Sequence, residues 1–275
     1  MTIELSAECS ISVFGTLRRH HWISPRPDDL DAYGLFEAYS DLVGFRLEQS
    51  NPTSAGLRGG NNHANGLWAT VDAGGDWSDE IAASPGHILW VEVGLCESPR
   101  ASDVPISALT FLIEKCVNRI GQIEIDACQT LIPLNYAAIK QPSGHMLFAT
   151  ADPQRNVILE IEIAAPADGS LDSRAQSLFE EANARLEYDG IEFTQPTIGA
   201  SGPNLFREPS QIDRRFLAGS HSARVRSRIS VPELSFDFVS YLTSHIALAS
   251  QLTGVSGSEL VSIRRSSSVH RERSD

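Results

Sequence analysis

Between Asn156 and Thr194 a strand, a helix and a second strand follow one another, and this unit constrains the fold more than any other stretch. In Asn156-Val-Ile-Leu-Glu-Ile-Glu-Ile163, Leu159, Ile161 and Ile163 share one face and Glu160 and Glu162 the other, the two-residue period of a half-buried strand. Ser170 caps a segment whose Ala175, Leu178, Phe179, Ala182 and Leu186 recur at helical spacing. Gly190 stops that helix before Ile191-Glu-Phe-Thr194, which reads as the returning strand.

Three further stretches read the same way. The first runs from a strand at 9–15 through a helix entered at Asp28 or Asp29, with Ala32, Leu35, Phe36, Tyr39, Leu42 and Val43 on one stripe. Gly44 ends it, 45–49 is the next strand and 67–71 another. In the second, a strand at 87–95 leads through Asp103 and Pro105 into a helix with Ile106, Leu109, Leu112, Ile113, Cys116 and Ile120 inward. Gly121 closes that helix, and strands at 122–127 and 145–150 follow. In the last, a strand at 222–231 precedes a helix capped by Ser235 and closed by Gly254, then a strand at 259–263.

Independent loops would not keep step, yet Ile11 to Gly44, Ile88 to Gly121, Val157 to Gly190 and His221 to Gly254 are each 33 residues apart. The expected fold class is therefore α+β: four βαβ-type units forming two tandem ferredoxin-like domains, residues 1–152 and 153–267, with a polar tail at 268–275. Right-handed crossovers would put the helices of each domain on one face of its sheet. Two such sheets turned toward each other would make an α+β barrel-like arrangement.

Charge is uneven. The formal net charge of −13 divides into −16 for residues 1–200 and +3 for residues 201–275. An acidic bulk repels nucleic acid and anionic membrane, so neither is expected as a partner. The first residues lack the basic start and apolar run of a signal peptide, no stretch approaches the ~20 apolar residues of a membrane span, and the four cysteines show no CxxC spacing. A soluble, cytoplasmic protein with reduced thiols is the expectation, and exposed strand edges are compatible with a homo-oligomer.

The strand faces opposite the helices carry the charged residues: Glu92, Glu124, Asp126, Glu160, Glu162 and Glu192, and from the last unit Arg224, Arg226, Arg228 and Arg264. One reading is a wet face whose opposite charges pair across strands, at roughly 0.2–1 kcal/mol per pair. The other is a polar site between sheets, with Glu92, Glu160 and Glu162 as catalytic acid or base and Arg224, Arg226 and Arg228 holding a small polar or anionic ligand. A second candidate is the loop 56–66, where glycines allow close backbone approach, Arg58 supplies an anion partner and His63 a general base. Third, His87, His145 and His221 each open an expected strand, and two of them with a carboxylate would suit iron or manganese. His245, beside the apolar stripe of the last helix, reads as a hydrogen-bonded core residue.

Asp29-Leu-Asp-Ala32, Phe36, Tyr39 and Asp41-Leu-Val-Gly-Phe-Arg-Leu47 together resemble the helix and turn of a vicinal oxygen chelate module, a superfamily whose βαβββ modules come in twos and fours. The resemblance implies a repeat architecture and a divalent metal held by His and Glu on strands. It covers residues 29–47; no histidine stands on the first strand, and the later units do not repeat the motif. No nucleophile elbow, GxGxxG, HExxH or zinc-spaced Cys/His set occurs, so no cofactor is assigned. Three functions follow as expectations. The first is a small-molecule-binding protein, with proton transfer, cyclisation or isomerisation as the enzymatic form. The others are a non-catalytic assembly subunit and a metal-dependent oxygenase or lyase.

Overall fold

A computed structural model describes residues 5–23, 31–43, 68–75, 77, 86–96, 103–135, 138–140, 147, 150–152, 154–166, 170–199 and 223–266. The expected strand at 45–49, the loop with Arg58 and His63, His145, His221 and the tail at 268–275 lie outside the described residues.

The first half contributes β1 (Leu5–Arg19), α1 (Ala32–Val43), β2 (Trp68–Gly75), β3 (Gly86–Cys96), α2 (Ile106–Ile120) and β4 (Gly121–Pro133). The second contributes β5 (Val157–Ala165), α3 (Ser170–Leu186), β6 (Thr197–Ile198), β7 (Ala223–Val231), α4 (Phe236–Thr253) and β8 (Ser258–Arg265). The architecture is α+β. All eight strands form one antiparallel sheet in the order β2-β3-β1-β4-β8-β5-β7-β6. Both halves use one permutation, with the second strand outermost and the fourth innermost. The innermost strands β4 and β8 pair from Ala127↔Arg264 to Pro133↔Ser258.

This joint alters the expected arrangement. The halves extend one sheet instead of facing each other as two, because β4 and β8 satisfy each other's edge hydrogen bonds. Their charged faces point the same way, since residues paired across a sheet share a face. The helices form a single layer, α1 on α2, α2 on α4 and α4 on α3. Under it Ile11, Val13, Val91, Val93, Ile161, Ile163, Val261 and Ile263 of the strands make one apolar core with Phe36, Leu112, Phe179 and Leu242 of the helices. Cys9, Cys116 and Cys128 are buried free thiols, and burial pushes Cys9 and Cys116 up to about 12. No described helix is long and apolar enough to cross a membrane.

Local signals worked where they act locally. The Ser235 hydroxyl accepts the Phe238 N–H at the start of α4, and Gly254 ends it in the left-handed conformation at φ 78°. Gly121 has a different role from the one its spacing suggests. Its φ is −175°, the chain passing straight from α2 into β4, and a Cβ there would lie 2.3 Å from the Arg18 carbonyl oxygen of β1. Gly15 is tighter: at a register shift between β1 and β4, a Cβ would meet the Glu124 carbonyl oxygen at 2.1 Å. Because that neighbour is backbone, Gly15→Ala is expected to cost about 1–3 kcal/mol in chemical denaturation, with the folded circular dichroism unchanged.

Two expected strands are corrected. At 145–150, Leu147 and Thr150 are helical, and the Leu147 carbonyl accepts the Ala151 N–H and the Thr150 hydroxyl, so the polar groups are satisfied within one turn. At 191–194 only Phe193 bridges β7, and regular pairing waits until Thr197, because Pro196 has no N–H to give a ladder.

Candidate functional site

Alternation along β5 and β7 builds the site. Glu160 lies opposite Arg228 of β7 and Arg264 of β8, Glu162 opposite Arg226, and Ala164 opposite Arg224, all on the face without helices. Each carboxylate oxygen accepts from a guanidinium. Glu162 Oε2 accepts from Arg226 Nε at 2.6 Å and its Oε1 from Arg224 Nη1 at 3.5 Å. Glu160 Oε1 accepts from Arg228 Nη2 at 2.9 Å and its Oε2 from Arg264 Nη2 at 3.2 Å. The Glu162 pairs are inner ones, that residue being 4% exposed, whereas the Arg228 side chain is 59% exposed.

A cleft of about 400 Å³ opens beside this network, lined by Glu160, Arg226 and Arg228 on the strands and by Thr194, Gln195 and Thr197 along the sheet edge. The edge segment is held from two sides. Asn183 of α3 accepts the Phe193 N–H at 2.7 Å and donates to the Phe193 carbonyl at 3.3 Å, taking the place of a neighbouring strand. From β7 the Ser227 hydroxyl donates to the Thr194 carbonyl at 2.6 Å, and the Thr194 N–H donates to the Arg228 carbonyl at 2.8 Å. Thr194, Gln195, Thr197 and Ser227 were not foreseen. The available signal was the run Thr194-Gln-Pro-Thr197 directly after the alternation Ile191-Glu-Phe193.

The other expected residues are distributed. Glu92, 7% exposed on β3, lies opposite Ser10 and Asp72, four strand spacings or about 19 Å across the sheet from β5 and in register with Ala164, so the three expected carboxylates do not form one group. Glu124 and Asp126 of β4 stand near Arg265 of β8; burial raises Asp126, which Arg265 opposes and Glu124 reinforces. Arg58 and His63 lie outside the described residues. His87 stacks on Phe14 at 4.6 Å, and burial lowers it to about 4. Among the described residues no three His, Cys, Asp or Glu lie together in a way that could hold a metal ion.

Two buried groups stand apart from the cleft. His245 packs on Tyr241 with ring centroids 4.4 Å apart, and neither ring nitrogen has a hydrogen-bond partner among the described residues, which corrects the expectation of a hydrogen-bonded core histidine. Burial first, and then Arg185, lower it to about 4 against the opposing Asp189, whose carboxylate accepts the Tyr241 hydroxyl. Glu259, fully buried at the start of β8, is raised to about 8 by burial, with the Ser250 hydroxyl of α4 opposing.

No family model matches the chain, and neither do any curated protein or any solved structure.

Proposed function

We propose that the protein binds a small polar or anionic molecule in the cleft beside β5, β7 and the edge segment at 194–197. The observation that carries this is the ratio of charges: four arginines surround two glutamates in a network of which Arg226, Arg228 and Glu160 line the cleft, in a chain whose formal net charge is −13. Such a local surplus on an acidic protein attracts an anion and fixes its orientation through planar guanidinium forks. Because all four carboxylate oxygens already accept from arginine, we read Glu160 and Glu162 as the groups that hold the guanidinium planes in place. Binding, with no proton transfer assigned to these carboxylates, is the function the geometry supports best. The shared strand permutation supports reading residues 1–152 and 153–267 as tandem ferredoxin-like units fused through β4 and β8, and only the second presents the arginine face.

A thermal-shift panel of anionic, neutral and cationic metabolites tests the reading, since a ligand that binds only the folded state raises the midpoint by mass action. Anions are expected to stabilise the wild type and to lose that effect in Arg228→Ala, whose exposed side chain leaves basal stability nearly unchanged. Equal stabilisation of wild type and variant by every active compound would remove the site from consideration.

A further inference from the structure

The charges in the cleft are arranged as two centres, not one. Glu162 with Arg224 and Arg226 forms one triad, and Glu160 with Arg228 and Arg264 the other, each with a formal charge of +1. Glu160 and Glu162 are alternate residues of one strand, as are Arg226 and Arg228 of the next, so the centres are about 7 Å apart at roughly 3.4 Å per residue. The cleft reaches one arginine of each triad, Arg226 and Arg228. Its remaining lining among the described residues is hydroxyl and amide from Thr194, Gln195, Thr197 and Ser227, the Glu160 carboxylate already paired with Arg228 and Arg264, and Ile161, with no aromatic ring on which a nucleobase could stack.

Building on the anion reading above, we propose that the ligand is a flexible dicarboxylate, with one carboxylate on Arg226, the other on Arg228, and hydroxyl or amine substituents toward Thr194 and Gln195. A guanidinium fork matches a carboxylate bidentately, and two forks two residues apart match two separated monoanions better than one doubly charged group. Spanning about 7 Å at roughly 1.3 Å of advance per single bond takes five or six bonds between the carboxyl carbons, a chain of about six or seven carbons. A phosphomonoester carries both charges on one phosphorus and would satisfy only one centre at a time.

Calorimetric titration of the full chain with succinate, glutarate, adipate, pimelate, suberate, hexanoate and inorganic phosphate tests this. Affinity is expected to peak at adipate or pimelate and to exceed that for hexanoate by about tenfold or more. Arg226→Lys, which keeps the charge and loses the fork, and Arg228→Ala are each expected to lower the peak affinity about tenfold and to flatten the dependence on length. A flat length series in the wild type, or phosphate binding more tightly than every dicarboxylate while still depending on Arg228, would overturn the dicarboxylate and leave the anion reading standing. Absence of binding by every anion would overturn both.

Discussion

Glu259→Gln is expected to gain about 3 kcal/mol on the wild type as pH rises from 4.5 to 7, measured by denaturant unfolding at each pH. The Glu259 carboxyl is raised from 4.5 to about 8 because burial penalises its charged form. A folded state that holds its proton more tightly than the unfolded chain loses stability as pH climbs. The loss begins where the unfolded carboxyl ionises, near 4.5, and is complete above about 8, where both states are ionised. The amide cannot ionise, so the variant should lack this part of the pH dependence. Parallel profiles for the two proteins would show that Glu259 finds compensation its surroundings do not display.

Removing Glu162 is the second large effect. Glu162→Ala removes the carboxylate to which Arg224 and Arg226, both largely buried, donate, and breaking a buried ion pair by deleting one partner costs about 3–5 kcal/mol. Because both guanidinium groups retain some contact with water, about 2–3 kcal/mol is expected. Arg228→Ala, at the exposed end of the same ladder, should cost no more than about 1 kcal/mol. Equal costs for the two substitutions would mean that the inner and outer pairs are equally solvated, contrary to the burial of Glu162.

What could be read in the chain and what could not follows from the range of the forces involved. The alternation of 156–163 and 222–231 assigns Glu160, Glu162, Arg224, Arg226 and Arg228 to one face of their strands, since the pleat alone decides that. Strand neighbours depend on long-range pairing. Glu92 carries the same local pattern as Glu160 and lies four strands away, because β1, β4 and β8 intervene. The edge of the cleft was hidden for a similar reason: Thr194 and its neighbours are placed by Asn183 and Ser227, contacts that no period in residues 191–197 encodes. Glu259 opens the expected strand at 259–263 and lies buried beneath α4, where its position depends on how the helix layer settles. The glycine register foretold two sharp stops well, at Gly190 and Gly254, both left-handed, while Gly121 turned out to serve the close approach of β1.

Arginine side-chain NMR tests the central claim most directly, by following the Nε–H resonances during titration with adipate or pimelate. The Arg226 and Arg228 signals are expected to shift together and saturate at one concentration, while those of Arg155 and Arg185, in local pairs away from the cleft, stay in place. Uniform small shifts of all arginines, or none at Arg226 and Arg228, would contradict an anion site on this face of the sheet.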